Sequence, residues 1–198
     1  MTEDKKTIAV YDKNVEQYKN LIGQSYKDKN LDFFEKMLNK KSVVLDLGCG
    51  TGQVSSKLQS LGHILFPVDA SLEMIKVAKS EFHLNAVHRT FDQINEVEAF
   101  DGIWANFSLL HTSKKSFAEN LAKLFYALKP QGILFFSLKY GFGEKRDSLG
   151  RYYSYYTEVE VLKTINQTGF KTTNQTSGKS KGLAGQIEKW IGFFCTKD

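Results

Sequence analysis

The stretch that decides the fold reads Val-Val-Leu-Asp-Leu-Gly-Cys-Gly-Thr-Gly and runs from Val43 to Gly52. Its opening residues are apolar and partly β-branched, with the acid Asp46 among them, which favours a short buried strand. Glycine then occupies every second position, at 48, 50 and 52. Apolar residues spaced four and three apart follow, which predicts a helix. The stretch therefore predicts a strand, a tight glycine turn and a helix.

The glycine turn is suited to binding a nucleotide-like ligand. Glycine tolerates positive φ and lets a ligand approach the main chain closely, and amide groups at a helix start attract electron-rich atoms. The dinucleotide fingerprint Gly-x-Gly-x-x-Gly does not fit, because its third glycine would fall on Gln53 or Ser55. The Gly-Lys-Ser or Gly-Lys-Thr run of phosphate-binding loops does not follow either. The alternative is a glycine-rich turn in an ordinary α/β crossover.

A second acid stands at the end of the next predicted strand. Residues 63–68 form that strand, and Asp69 lies 19 residues beyond Gly50. An acid at this spacing accepts hydrogen bonds from ribose hydroxyls, and a carboxylate can accept from both of them. The alternative is an acid at a helix N-terminus, since Ser71 could cap the following helix. We expect Asp69 to bind a ribose.

The pattern Asp46-x-Gly48-x-Gly50-x-Gly52, with Asp69 after it, resembles class I S-adenosylmethionine (SAM)-dependent methyltransferases. In that family the loop wraps the methionine part of SAM, and the product is S-adenosylhomocysteine (SAH). The segment after residue 138 resembles that of tellurite-resistance-type small-molecule methyltransferases. The resemblance implies a cofactor site formed by Asp46, Gly48, Cys49, Gly50, Gly52, Asp69, Ala70, Met74, Thr90, Phe91, Asp92, Asn106 and Phe107.

The whole chain, residues 1–198, is predicted to be one methyltransferase domain. An N-terminal helical cap at 1–42 precedes a cofactor-binding core at 43–138, an acceptor-side loop at 139–156, and a C-terminal helix and hairpin at 157–198. The resemblance implies an α/β, Rossmann-like fold. Its sheet would have seven strands, mostly parallel with one antiparallel strand, and helices on both sides.

Composition and charge indicate which classes of protein are favoured. The chain has 198 residues and a net charge of +5, and residues 139–198 hold ten Lys or Arg against six Asp or Glu. No block of five or six like charges appears, so a solvated, mildly basic surface is favoured over a nucleic-acid site. No run of about 18 apolar residues is present, and residues 1–6 lack the apolar core of a signal peptide, so we expect a cytoplasmic protein. Cys49 and Cys195 have no disulfide or metal-site spacing, and we expect no metal.

Acceptor-side residues are predicted from their position and chemistry. His111 follows the fourth predicted strand, residues 100–105, at the strand end where ligands bind in open α/β sheets. It could act as a general base, or it could hold the loop by hydrogen bonds. Residues 139–156 include two arginines and five tyrosines, which suits binding an oxyanion and enclosing a small substrate. The predicted catalytic residue is His111, and the predicted substrate-binding residues are Tyr11, Tyr18, His111, Tyr140, Arg146, Arg151 and Tyr152.

The predicted reaction is methyl transfer from SAM to a small-molecule acceptor by a monomer or homodimer. Direct displacement mainly requires alignment of the acceptor, the methyl group and the sulfur. One alternative is an RNA or protein methyltransferase, although Phe107 and Ser108 replace the two prolines that amino-methylating nucleic-acid enzymes carry after Asn106. A non-catalytic SAM-binding domain would share the same glycines. A nicotinamide oxidoreductase is disfavoured by Gln53.

Overall fold

The computed structural model describes residues 4–23 and 28–198; the parts of the predicted helical cap at 1–3 and 24–27 lie outside the described residues. None of the described helices is long and apolar enough to span a membrane. The helices within these ranges are α1 (Lys5–Lys13), α2 (Val15–Ile22), α3 (Lys29–Met37), α4 (Gln53–Ser60), α5 (Leu72–Phe82), α6 (Lys114–Ala127) and α7 (Glu158–Gln167).

The strands alternate with these helices over the first half of the chain. This alternation is the pattern that builds a parallel sheet covered by helices. The strands are β1 (Val43–Leu47), β2 (Ile64–Asp69), β3 (Val87–His88), β4 (Phe100–Ala105), β5 (Leu128–Tyr140), β6 (Glu144–Arg146), β7 (Tyr152–Tyr156), β8 (Lys171–Lys181) and β9 (Ile187–Thr196).

The predicted fold class is confirmed. Strands β3, β2, β1, β4 and β5 pair in that order and are all parallel. Strand β9 pairs antiparallel with β5 over Ile133–Lys139, and β8 pairs antiparallel with β9. These seven strands make the mostly parallel sheet with one strand, β9, running against the rest. The carboxyl ends of β1, β4 and β5 therefore meet at one edge, where ligands bind in sheets of this kind.

Apolar side chains cover both faces of the sheet. On one face Phe136 and Phe193 pack with Leu121 of α6 and Val161 of α7. On the other face, the rings of Trp104 and Phe135 stack with their centroids 4.3 Å apart, and Trp104 also packs with Phe34 of α3. Central parallel strands are buried on both faces and therefore read as continuous apolar runs. This burial fixes the strand ends that carry the site.

The segment 139–156 differs from the predicted loop. Strands β6 and β7 form an antiparallel hairpin within it, and the end of β7 pairs with the end of β5, Lys139 opposite Tyr155. The tyrosine-rich run favours a strand, because aromatic residues pack well on a pleated surface. Gly150, with φ of +91°, lies in the connection that reverses the chain. The hairpin adds two strands beyond the seven predicted.

Two further strands depart from the regular pattern of the sheet. Strand β5 begins at Leu128, directly after α6, because Leu128 already has extended backbone angles and α6 ends one residue earlier. The register with β4 shifts between Phe100 and Gly102, which accommodates Pro130 in the irregular start of β5. Strand β3 contains only Val87 and His88, so the outer edge of β2 is covered only near its carboxyl end.

Candidate active site

The glycine turn after β1 requires glycine for two physical reasons. Gly48, Gly50 and Gly52 have φ of +82°, +55° and +96°, in the region that side chains disfavour. A Cβ on Gly48 would stand 2.5 Å from Cβ of Ser108, and one on Gly52 would stand 2.7 Å from Cδ1 of Leu84. Backbone conformation and close packing therefore both exclude a side chain at these two positions.

Asp69 connects the glycine turn to the start of α5. Its Oδ2 accepts a hydrogen bond from the amide of Gly50 at 2.8 Å, and its Oδ1 accepts one from the amide of Ser71 at 2.8 Å. Burial raises the pKa of the Asp69 carboxyl, while the hydrogen bonds from the two amides act in the opposite direction. Each carboxylate oxygen has further acceptor capacity. Asp69 can therefore also accept hydroxyl groups of a ligand.

Asp46 is the buried acid near the end of β1. Its Oδ2 accepts a hydrogen bond from the hydroxyl of Ser55 at 2.7 Å. Burial raises the pKa of Asp46 from its ordinary value of 3.8 to about 7; the Ser55 hydrogen bond lowers it and the charge of Asp69 raises it. The carboxyl group of Asp46 therefore holds its proton to a higher pH than an exposed aspartate does.

The turn after β4 holds Phe107 in a left-handed conformation with φ of +53°, which is uncommon for a large side chain. Buried Ser137 of β5 supports this turn, because its Oγ accepts from the amide of Phe107 at 2.9 Å and donates to Oδ1 of Asn106 at 2.6 Å. The ring of Phe107 meets Trp190 of β9 edge to face, with centroids 5.9 Å apart. Asn106 and Phe107 are thereby fixed at the ligand-binding edge of the sheet.

Two cavities open at this edge. The larger, about 600 Å³, lies between the N-terminal helices, the carboxyl ends of β1, β4 and β5, and the β8–β9 hairpin. The smaller, about 100 Å³, adjoins the glycine turn, Asp69 and the start of α5. Six residues, here called the boundary residues, line both cavities: Tyr11, Tyr18, Gly48, Asn106, Phe107 and His111.

A hydrogen-bonded chain crosses the boundary. Nδ1 of His111 lies 2.7 Å from the carbonyl oxygen of Tyr152, which can only accept, so Nδ1 carries the proton and Nε2 is the acceptor. The hydroxyl of Tyr11 donates to Nε2 at 2.9 Å and accepts from Arg151 at 2.9 Å. Asp147 in turn accepts from Nε and from the second terminal nitrogen of Arg151. These contacts fix one tautomer of His111 and one orientation of Tyr11.

Burial lowers the pKa of His111 to about 3. The hydrogen bond to the carbonyl of Tyr152 raises it, and the positive charges of Arg151 and Lys139 lower it further. His111 is therefore a neutral imidazole at neutral pH, which agrees with the tautomer that its hydrogen bonds require.

A second pair of opposite charges lines the larger cavity. Lys139, at the end of β5, forms an ion pair with Glu188 of β9, and Tyr155 donates to the other oxygen of Glu188 at 2.9 Å. The ammonium group of Lys139 also lies 3.5 Å from the ring centroid of Tyr153. The sequence interpretation missed Lys139, Tyr153, Glu188 and Trp190. Two of them carried a signal: Lys139 lies near the end of a central parallel strand, and Tyr153 belongs to the tyrosine-rich segment 139–156.

The structure brings most of the predicted site residues to the two cavities. Besides the boundary residues, those on the larger cavity are Asp46, Cys49 and Arg151. Those on the smaller cavity are Gly50, Asp69, Ala70, Met74 and Phe91. The predicted residues outside the lining of both are Gly52, Thr90, Asp92, Tyr140, Arg146 and Tyr152.

The residues outside the lining have other contacts. Thr90 and Asp92 hydrogen-bond to each other beside the short strand β3. Arg146 forms an ion pair with Asp4, which caps α1, and so fastens the N-terminal helix to the β6–β7 hairpin. Tyr140 is 40% exposed. The tyrosine-rich segment therefore contributes Arg151 and Tyr153 to the larger cavity, while its arginine at 146 holds α1.

A family model described as a methyltransferase domain matches residues 44–132. This range contains β1, the glycine turn, Asp69 and the turn after β4. Over this range the chain is similar to methyltransferase domains, in agreement with its resemblance to class I SAM-dependent methyltransferases. The cofactor of this class is SAM, as the family resemblance implies.

Curated relatives of this methyltransferase domain are similar at moderate identity. The chain is 29% identical over 133 residues to a protein of Bacillus subtilis named YqeM and described as a methyltransferase; the match covers 63% of this chain and 53% of that protein. The chain thus spans about half the length of that relative. It is 27% identical over 186 residues to a carboxy-S-adenosyl-L-methionine synthase of Actinobacillus pleuropneumoniae, covering 81% of this chain and 76% of that enzyme.

Solved structures share the fold of this methyltransferase domain. One is the 1,6-didemethyltoxoflavin-N1-methyltransferase of Burkholderia thailandensis, with a TM-score of 0.76, 20% identity, and coverage of 96% of this chain and 84% of that one. Another is a TehB-like SAM-dependent methyltransferase of Corynebacterium glutamicum, with a TM-score of 0.71, 20% identity, and coverage of 96% and 99%. At this identity the likeness shows a shared fold.

Proposed function

We propose that this protein transfers the methyl group of SAM to a small molecule bound in the larger cavity. The observation that carries the proposal is the set of six boundary residues, which line both cavities. A cofactor in the smaller cavity and an acceptor in the larger one would meet there. The enclosure of the larger cavity by helices and a hairpin favours a small acceptor over an RNA or a protein. The 1,6-didemethyltoxoflavin-N1-methyltransferase, which shares this fold, is named for methylation of a small molecule.

The cofactor is assigned to the smaller cavity and the adjoining edge of the larger one. Asp69, held by two backbone amides, would accept the ribose hydroxyls. Met74 and Phe91 line the same cavity and would flank the adenine. The methionine end would then lie by the glycine turn and Asn106. Contacts from Thr90 and Asp92 to the adenine stay predictions.

Tyr11 and His111 are assigned to the transfer step. Displacement at the methyl group needs an aligned acceptor, and Tyr11 is itself aligned by hydrogen bonds to His111 and Arg151. An acceptor that must lose a proton could pass it to the oxygen of Tyr11 while the proton of Tyr11 moves to Nε2 of His111. With a pKa of about 3, His111 is a weak base. Orienting Tyr11 is therefore the role that the geometry favours for it.

Calorimetric titration of the full chain with SAM, SAH and NAD tests the proposal. We expect SAM and SAH to bind and NAD not to bind. Asp69→Ala should weaken SAM binding by about tenfold or more, because it removes a carboxylate that accepts charge-assisted hydrogen bonds. Asp32→Ala is the matched control, since Asp32 is an exposed acid outside both cavities, and its effect should be small. Binding of NAD without SAM, or of neither, would overturn the proposal.

Carboxyl transfer to SAM is a second candidate. The match to carboxy-S-adenosyl-L-methionine synthase covers more of this chain than the match to the Bacillus protein. The cations Lys139 and Arg151 on the larger cavity would suit a carboxylate donor. Mass spectrometry of the nucleoside product separates the two reactions. Methyl transfer yields SAH, whereas carboxyl transfer yields a product heavier than SAM by one carbon dioxide.

A further inference from the structure

The cations of the larger cavity suggest which class of acceptor it takes. Lys139 and Arg151 both line this cavity, and both lie over the ring of Tyr153, at 3.5 Å and 5.2 Å from its centroid. Arg151 donates to the boundary residue Tyr11, and the positive charges of both cations lower the pKa of the boundary residue His111. An acceptor at that boundary would therefore have the positive charges of Lys139 and Arg151 on one side.

The two cations differ in how completely their hydrogen bonds are used. Arg151 gives two nitrogens to Asp147 and the third to Tyr11, which locks its orientation. Lys139 has one ionic partner among the described residues, Glu188. An ammonium group has three N–H donors. Lys139 is therefore the cation that can exchange its partner or take a second one.

Lys139 and Tyr155 already form a binding place for a carboxylate. The ammonium group of Lys139 and the hydroxyl of Tyr155 donate to the two oxygens of Glu188. Glu188 belongs to β9 and lies one residue from its start, close to the connection between β8 and β9. A protein carboxylate thus fills a donor set that would equally suit the carboxylate or other oxyanion of a ligand.

The burial of the two partners decides which of them an incoming ligand replaces. The side chain of Lys139 is 11% exposed, whereas that of Glu188 is 26% exposed. A buried charge that loses its partner is strongly destabilising, while a charge at the rim is solvated by water. When the ion pair is broken, leaving Glu188 without its cation therefore costs less free energy than leaving Lys139 without its anion. An anionic ligand fits this asymmetry, and a cationic one does not.

We infer that the acceptor carries an oxyanion, and that Lys139 binds it in exchange for Glu188. The inference rests on the proposed function, because it names the class of molecule that the larger cavity holds. Lys139 is thus a binding residue for the acceptor. Glu188 is a competing internal carboxylate that keeps Lys139 paired while the cavity has no ligand.

Titration with small anions tests this inference directly. Benzoate and inorganic phosphate are added separately to the full chain, free and saturated with SAH, and benzylamine serves as the cationic counterpart. We expect benzoate or phosphate to bind, and their relative affinity tells a carboxylate acceptor from a phosphorylated one. Lys139→Met should weaken that binding by about tenfold or more, and Lys139→Arg should restore part of it.

The decisive variant is Glu188→Gln. Removing the internal competitor should strengthen anion binding by about threefold or more, a gain that a merely structural role of Glu188 does not predict. Asp32→Asn is the matched control, because the Lys57–Asp32 ion pair lies outside the cavities and should leave anion affinity unchanged. Thermal unfolding of each variant checks that it is folded.

Several outcomes would overturn the inference. These are the absence of binding by both anions, anion binding that Lys139→Met leaves unchanged, anion affinity that does not rise in Glu188→Gln, and preferential binding of benzylamine. Failure of the proposed function is separate from these, because it would show as a lack of SAM and SAH binding. Anion titration of the SAH-free protein still decides the role of Lys139 in that case.

Discussion

The hydroxyl of Tyr11 donates a hydrogen bond to Nε2 of His111 at 2.9 Å, although the two residues lie 100 positions apart in the chain. Their rings meet edge to face, with centroids 5.4 Å apart. Tyr11 belongs to α1, and His111 follows β4. This contact therefore ties the N-terminal helix to the edge of the sheet at which both cavities open.

Tyr11→Phe tests the contribution of this contact. It keeps the ring but leaves Nε2 of His111 and one N–H group of Arg151 without their partner, and an unpaired buried polar group costs about 1–3 kcal/mol. We expect the free energy of unfolding to fall by about that amount in urea denaturation. Tyr18→Phe is the control, because Tyr18 packs edge to face against Tyr11 but takes no part in the hydrogen bonds that join Tyr11 to His111 and Arg151. Equal losses in the two variants would contradict the assigned role.

Asp46→Asn should change the pH dependence of stability. The pKa of Asp46 is about 7 in the folded protein against an ordinary 3.8, so the folded state binds a proton that the unfolded state releases between these values. Stability therefore falls as pH rises through this window. Asparagine keeps an acceptor for Ser55 without the charge. We expect Asp46→Asn to be more stable than wild type by about 1–3 kcal/mol at pH 8, and similar to it near pH 4. A wild type that is equally or more stable at pH 8 would contradict this.

His111→Gln should act in the opposite pH direction. The pKa of His111 falls from 6.5 to about 3 on folding, so the unfolded state binds a proton that the folded state does not. The corresponding stability is complete above pH 6.5 and is lost as pH falls towards 3. Glutamine can still donate to the carbonyl of Tyr152 and accept from Tyr11. We expect the acid-induced loss of stability between pH 6.5 and 4 to be shallower in His111→Gln, measured by urea unfolding at several pH values. Unchanged slopes would show that His111 does not titrate in this way.

Alanine at three glycines separates packing from ligand binding. Gly52→Ala places a Cβ 2.7 Å from Leu84 and 3.0 Å from Ala78, so we expect it to destabilise the fold by about 3 kcal/mol. Gly50→Ala meets the ring of Tyr18 at 3.2 Å, and it should mainly weaken SAM binding. Gly62→Ala is the control, since its φ is +92° and nothing lies within 4 Å; only the backbone cost of about 1 kcal/mol should remain.

Measurement of Tm and of SAM affinity for all three variants checks this order. A Gly50→Ala variant that binds SAM as tightly as wild type would show that the turn does not contact the cofactor closely. Equal destabilisation by Gly52→Ala and Gly62→Ala would show that packing against α5 does not matter.

Local pattern was a reliable guide where neighbouring residues decide the conformation. The run from Val43 to Gly52 predicted β1, the turn and α4, and the family resemblance implied a mostly parallel sheet with one antiparallel strand. The capping box of Thr157 and Glu160 marks the start of α7 and is present in the structure. Such features depend on backbone conformation and on side chains a few positions apart.

In the segment 139–156, local sequence pattern was not enough to predict which side chains reach the cavity. Its arginines and tyrosines indicated an acceptor pocket, but strand pairing decides which of them face it. Because side chains alternate along a strand, Tyr153 reaches the cavity while Tyr152 contributes its backbone to His111 and α1. Arg146 and Arg151 likewise have different partners, Asp4 and Asp147.

The sequence by itself determined the strand, glycine turn and helix of the cofactor site and the acid that follows 19 residues later, because positive φ, periodicity and short spacing are local properties of the chain. Only the tertiary structure decided that Tyr11 meets His111 and that Lys139 meets Glu188. Those pairs are joined by the docking of α1 and the folding back of β9 onto β5. The relative position of such distant elements depends on packing of the whole core, and it cannot be predicted from any short stretch of sequence.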